Sequence, residues 1–178
     1  MSPSDNPIVS LLHAKFGDLD FAPHPLLACK DKQNEQTCVR VPPDRLVDVM
    51  AFLRTDERAL CEQLADLTAV DYADFQGARD RFAVVYALLS ITHGHRLWVK
   101  CFVNDPDPKV PSATSIWIGA DWMEREVFDM FGIVFTDHPD LRRILTWDGF
   151  EAHPLRKDYP LRGRGEREDY SVVTRGSA

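Results

Sequence analysis

The sequence predicts an α+β fold: a small mixed or antiparallel sheet with flanking helices, followed by a long irregular C-terminal tail. Three observations carry that reading. An almost unbroken apolar run from Phe82 to Ile91 is followed, across Thr92-His93-Gly94-His95, by Arg96 to Val103, the pattern of a β-hairpin. Segments with apolar residues three and four apart flank it, the pattern of amphipathic helices. Beyond about residue 136 periodicity is lost, and His138-Pro139, His153-Pro154 and Tyr159-Pro160 punctuate the chain. Proline lacks an amide proton and fixes its own dihedral, so this stretch builds neither a long helix nor a central strand.

The elements follow in order. Ile8, Val9, Leu11, Leu12 and Phe16 give a short helix that Gly17 ends. Residues 18–36 read as a loop with a short strand near Phe21 or Leu27, and Thr37 to Val41 as a strand. Pro42-Pro43-Asp44 starts a helix over 44–54, with Leu46, Val49, Met50 and Leu53 on one face. Leu60 to Asp66 continues as a helical turn or opens a strand, and Leu67 to Tyr72 is strand. The first hairpin strand is apolar on both faces, which places it centrally with material packed on each side. Pro111-Ser112 opens a short helix or turn through Trp117, and a helix spans Asp121 to Phe131, ended by Gly132. The domain reading is a compact unit over 1–135 and an extended tail over 136–178.

Composition narrows function. Of 178 residues, 44% are hydrophobic and 28% charged, enough to bury a core, and the formal charge is −7. An acidic chain is a poor fit to a phosphate backbone, so no nucleic-acid partner is expected. No apolar run reaches the roughly 18–20 residues that cross a bilayer. The start, Met-Ser-Pro-Ser-Asp-Asn-Pro, reads as no signal peptide, so a cytoplasmic chain reaching a membrane only through partners is expected. Cys29, Cys38, Cys61 and Cys101 form no CxxC pair, and iron–sulfur and zinc sites usually show such pairs.

The helix over 121–131 carries an anomaly. On a helical wheel Trp122, Met123, Val127, Met130 and Phe131 share one half, and Phe128 widens the apolar arc to about two-thirds of the circumference. Glu126 lies inside that arc and Glu124 lies near Phe128 and Phe131. A carboxylate there needs a partner or the edge of the face. Arg142 and Arg143 are near in sequence and suit bidentate pairing, so Glu124 and Glu126 are expected to anchor the tail through one of them. Arg125 and Asp129, four apart on the remaining polar strip, can pair with each other.

From Leu141 to Gly165 the cations Arg142, Arg143, Arg156, Lys157, Arg162 and Arg164 outnumber Asp148, Glu151 and Asp158, a local charge of +3. Leu145, Trp147, Phe150, Leu155, Tyr159 and Leu161 are interleaved. Arginine and aromatic residues anchor protein interfaces, and disordered tails rarely hold this many large apolar groups. The tail is expected to dock on an acidic, apolar-grooved protein.

Glu124-Arg125-Glu126-Val127-Phe128-Asp129-Met130-Phe131-Gly132-Ile133 resembles the signature of the 30 kDa (C-type) subunit of complex I, the respiratory NADH:quinone oxidoreductase. His138 to Leu145, Gly149-Phe150 and Pro154-Leu155-Arg156-Lys157-Asp158-Tyr159-Pro160-Leu161 resemble it too, and Leu64 to Tyr72 is similar to the family's strand before the hairpin. The resemblance runs from about residue 60 to 161, with one departure at Glu151-Ala152-His153. It implies a non-catalytic peripheral-arm subunit without a cofactor of its own, in a translocase that as a whole carries FMN, iron–sulfur clusters and quinone and oxidises NADH. Partners would be the 49 kDa (D-type) subunit and the iron–sulfur subunits, on the cytoplasmic side of the cell inner membrane. The interface residues implied are Glu124, Arg125, Glu126, Asp129, Arg142, Arg143, Leu145 and Pro154 to Leu161.

Other readings are weaker. An equivalent subunit of a related membrane-bound hydrogenase, or of a complex with another donor, shares the resemblance. A free-standing small enzyme using Glu124, Glu126 and Asp129 as acid and base would need one cleft to hold them. His93 and His95 form an HxH without an evident third metal ligand, and no phosphate-binding glycine loop or nucleophile elbow occurs.

Overall fold

The computed structural model describes residues 7–17, 19 and 37–165. Its elements are α1 (Pro7–Lys15), β1 (Cys38–Arg40), a 3-10 turn (Pro43–Arg45) running into α2 (Leu46–Thr55), β2 (Gln63–Asp71), β3 (Phe82–Ser90), β4 (His95–Val103), β5 (Lys109–Pro111), α3 (Ala120–Phe131) and β6 (Val134–Thr136). The strand anticipated near Phe21 or Leu27 lies outside the described residues, as do positions 166–178 of the tail.

The main sheet has the order β1-β4-β3-β2. The β2–β3 and β3–β4 pairs are antiparallel, and β1 joins β4 in parallel, so the sheet is mixed. The hairpin closes with Ser90 opposite His95, and Gly94 takes φ 67°, the left-handed turn conformation that costs glycine least. Leu60 to Asp66 resolves in favour of strand, because β2 pairs with β3 from Gln63 onward, through a register shift at Leu64/Asp66. A second, two-stranded parallel sheet, β5 with β6, escaped the sequence reading. Its strands are three residues each, too short to show a period of two.

One core holds the molecule together. Ile8, Val9 and Leu12 of α1, Val49, Met50 and Leu53 of α2 and Val127 and Phe131 of α3 pack on Val84, Tyr86, Leu88, Leu97 and Val99 of the sheet. At about 25 cal/mol per Å² of apolar area, each fully buried leucine or valine contributes about 1.5–3 kcal/mol. The expectation of packing on both faces of β3 is met differently. Ala83, Val85 and Ala87 point away from that core. They are buried as small residues among larger cross-strand neighbours, with Phe102 opposite Ala83, Lys100 opposite Val85 and Trp98 opposite Ala87.

After β6 the chain, over the described residues through Gly165, forms no helix or strand, as its prolines require. Its backbone returns to its own domain. Leu155 N–H donates to the Met130 carbonyl, Lys157 N–H to Asp71, and Arg156 Nε to the Phe131 carbonyl at 2.6 Å. Docking of the described tail is therefore internal first, and what it offers a partner is its outer side chains.

Candidate functional site: a carboxylate-anchored strap on helix α3

The strap, residues 137–163, is held at two places. The first is Asp129, in the last turns of α3. Its side chain is fully buried. Ile144, Leu145 and Thr146 direct three successive backbone N–H groups at Oδ2, at 3.0, 2.7 and 2.8 Å. Arg143 Nη1 donates to Oδ1 at 2.7 Å, and the Thr146 hydroxyl donates to the same oxygen. A run of converging amides is an anion nest. Burial alone would push the Asp129 carboxyl up, but the donations from Thr146, Leu145 and Ile144 outweigh it and bring it down to about 2.

Neighbouring contacts complete the anchor. Arg143 also donates to the carbonyl of Ala152, and Arg125 Nε and Nη2 donate to the carbonyls of Arg142 and Arg143, each at 3.2 Å. His153 Nδ1 donates to the Asp129 carbonyl at 2.9 Å. That ring sits so close to Gly132, the left-handed cap of α3 at φ 73°, that a Cβ there would lie 2.5 Å from His153 Nε2.

The second place is the end of the main sheet. Asp71, buried at the end of β2, accepts from Lys157 N–H at 2.9 Å and from Ala73 N–H at 2.9 Å. Arg81 bridges Asp71, Asp105 and Asp158, its Nη2 lying 2.6 Å from Asp158. The hydrogen bond from Arg81 lowers the Asp158 carboxyl. Arg156 reaches Asp105 at 3.0 Å, and Arg81 and Arg156 both lie over the Phe82 ring, 4.8 and 4.9 Å from its centroid.

Several expectations need correction. Neither Glu124 nor Glu126 anchors the tail: among the described residues Glu124 is within ion-pair distance of no arginine, and Glu126 is exposed. Asp129 takes that role instead. It does not pair with Arg125, because the inward nest claims its carboxylate while Arg125 turns to strap carbonyls. The three carboxylates diverge. Glu124 points at the loop after β5, Glu126 at solvent and Asp129 at the strap, so they share no cleft. Trp122, on the apolar half of the helical wheel, is 66% exposed, while Glu124 lies on the buried face of α3.

Glu124 is fully buried and makes two hydrogen bonds, with Ser112 Oγ at 2.7 Å and from Ala113 N–H at 2.7 Å. Burial dominates and pushes its carboxyl up to about 7; the two hydrogen bonds oppose the rise and Asp121 adds to it. Cys38, Cys61 and Cys101 are buried free thiols, and burial pushes them up to about 11, 11 and 12, far from the thiolate that ligates metals. His93 and His95 stack 5.6 Å apart, and among the described residues no three His, Cys, Asp or Glu side chains gather as a metal set.

On the outside of this anchored strap, large apolar side chains face solvent. Leu145 is 63% exposed and Trp147, Leu155 and Leu161 are exposed too. Of the anticipated interface residues, Arg142, Leu145, Leu155, Lys157 and Leu161 thus face outward, whereas Asp129, Arg143 and Arg156 are spent inside the chain. Pro154 and Tyr159 are half-buried, Tyr159 against Phe150 at 6.0 Å, and Pro160 is exposed.

The model of the family described as respiratory-chain NADH dehydrogenase, 30 Kd subunit, matches residues 39–165. The chain belongs to this 30 kDa subunit family. It is 55% identical over 133 residues to the C-type subunit of the NADH-quinone oxidoreductase of Ralstonia pickettii, covering 72% of this chain and 66% of that one. It is 52% identical over 123 residues to the corresponding C-type subunit of Roseiflexus castenholzii, covering 69% of each. It is 44% identical over 144 residues to the mitochondrial NADH-ubiquinone oxidoreductase 30.4 kDa subunit of Neurospora crassa, covering 79% of this chain and 50% of that one. This 30 kDa family chain therefore spans half to about two-thirds of the length of the Neurospora and Ralstonia relatives. Among solved structures, a trypsin-resistant fragment of Nqo5 matches with a TM-score of 0.62 at 33% identity, over 75% of this chain and 96% of that one. A chain from an archaeal membrane-bound sulfane sulfur reductase shares the fold, with a TM-score of 0.70 at 22% identity, over 94% of this chain and 92% of that one.

Proposed function

We propose that this chain is a structural, cofactor-free subunit of the peripheral arm of proton-translocating NADH:quinone oxidoreductase, complex I. It supports electron transfer from NADH to quinone by holding its neighbours in place and carries no electrons itself. Its membership of the 30 kDa subunit family over residues 39–165 is the observation that carries this reading, because that span contains the main sheet, both anchors and the strap. The partners are other subunits of the complex, chiefly the 49 kDa (D-type) subunit and the iron–sulfur subunits. The chain is peripheral, on the cytoplasmic side of the cell inner membrane, and reaches the membrane through them. Among the described residues no helix is long and apolar enough to cross a membrane.

The physical mechanism is a rigid presentation. Asp129 and the Arg81 hub fix the strap backbone before any partner arrives, so docking loses little further chain entropy. Leu145, Trp147, Leu155 and Leu161 then supply apolar anchors beside exposed Arg142, the mixture found at interface cores.

Native mass spectrometry of the membrane-extracted assembly tests this directly. NADH-oxidising and quinone-linked subunits are expected to co-purify with the chain; hydrogenase subunits or a different donor module would point to the related complexes, and a free monomer would defeat the proposal. Leu145→Asp with Arg142→Glu, both on the outer side, is expected to leave the fold intact and reduce co-purification at least tenfold, which corresponds to ~1.4 kcal/mol. Charge reversal at Lys30 and Lys32 serves as the control.

A further inference from the structure

Two buried carboxylates sit five residues apart on α3 in opposite surroundings. Asp129 receives five donors, one of them a guanidinium. Glu124 receives two, and neither is a cation. The side chain facing it from the segment after β6 is His138, fully buried, with Nε2 at 3.9 Å from the carboxylate. The protonation of that ring follows from its bonds. Its Nδ1 accepts from Asp140 N–H at 3.0 Å, so Nδ1 carries no proton. Its Nε2 lies 3.2 Å from the Asp121 carbonyl, which only accepts, so Nε2 carries the proton and the ring is neutral. From α3 itself the nearest charge is Asp121, of like sign. From β3 comes the Tyr86 hydroxyl, buried and without a hydrogen-bond partner among the described residues. From the loop after β5 come the Ser112 and Thr114 hydroxyls. Among the described residues no positive charge therefore compensates an ionised Glu124, and an unpaired buried carboxylate takes up a proton instead.

We propose that Glu124 is a buried proton-binding site, its carboxyl kept protonated by burial without a cationic partner and connected to solvent through the Ser112 and Thr114 hydroxyls. The path is short: Glu124 Oε2 to Ser112 Oγ is 2.7 Å, and Ser112 Oγ to Thr114 Oγ1 is 2.7 Å, with Thr114 partly exposed. On deprotonation the Glu124 proton passes to Ser112 Oγ as the Ser112 proton passes to Thr114 and the Thr114 proton to water. The site then holds a bare charge facing Asp121. The contacts that tie the 112–114 loop and the 138–140 turn to α3 loosen, making a latch that opens towards alkaline pH.

Carboxyl carbon-13 NMR of the full chain, labelled at glutamate, tests the site. One glutamate carboxyl is expected to titrate near neutral pH, and the signal is expected to vanish in Glu124→Gln. Amide exchange at Ala113 and Asp140, corrected for its intrinsic pH dependence, is expected to rise roughly tenfold from about pH 6 to 8, following the ionised fraction of a group titrating near 7. Ser112→Ala, which removes a donor to the ionised form, is expected to move the titration to higher pH. All glutamate carboxyls titrating below about pH 5.5, a neutral titration surviving Glu124→Gln, or one unmoved by Ser112→Ala would overturn the proposal.

Discussion

At Asp129 one carboxylate orders a segment that has no regular structure of its own. Removing its charge leaves Arg143 without an anionic partner and sets a side-chain NH2 against converging amides. Asp129→Asn is expected to cost about 3 kcal/mol, read as a lower urea midpoint with unchanged slope. The same group sets an acid limit. Its folded value, about 2, lies below the ordinary 3.8, so its contribution is present above about pH 4 and is lost as pH falls through about 2. The sign is opposite at Glu124. Its folded value, about 7, lies above the ordinary 4.5, so its contribution is full below about 4.5 and is lost as pH rises through 7. Glu124→Gln is expected to flatten the alkaline side of a stability–pH curve and leave the acid side, which belongs to Asp129 and Asp158, in place.

At the scale of the element, α3 has three working surfaces. Val127, Met130 and Phe131 enter the core, Asp129 and the C-terminal cap hold the strap, and Trp122 and Glu126 face solvent. The cap needs both a left-handed φ and an empty space, since His153 fills the place a Cβ would take. Gly132→Ala combines the backbone strain of that conformation with a side-chain collision. It is expected to cost about 2 kcal/mol or more, and to release the His153–Asp129 contact, seen as a shift of the His153 ring resonances. An equivalent change at Gly94, where nothing lies within 4 Å, lacks the collision and should cost less.

For the whole molecule, the boundary at about residue 135 is one of regularity and not of folding. Cutting there removes every donor to the Asp129 side chain and takes the Lys157 amide from Asp71. A chain ending at Phe135 is therefore expected to be less stable than one ending at Gly165, by at least the cost of Asp129→Asn, measured by thermal melting of the two. Equal melting temperatures would mean that the strap adds nothing to its own domain. The division of labour also explains the mixture of arginines in the tail: Arg143 and Arg156 are internal fasteners, while Arg142 pairs with Asp140 on the surface. Nothing in their local sequence separates them, and the burial that does is tertiary.

Period, turn glycines and a dense ordered motif are local signals, and they were enough for the α+β class, the β3–β4 hairpin, α2, α3 and the family. They also marked α3 as the helix whose carboxylates needed partners. Which carboxylate met which partner was settled only once the chain had folded. Glu124, Glu126 and Asp129 differ in charge state and exposure because one faces a neutral loop, one water and one a nest of amides. Those environments are assembled by chain segments 11 to 17 residues away, and pairing at that distance has no signature in residue spacing. The parallel β5–β6 pair and the return of the strap to Asp71, 86 residues back, were hidden for the same reason: they are long-range contacts made by short, aperiodic segments.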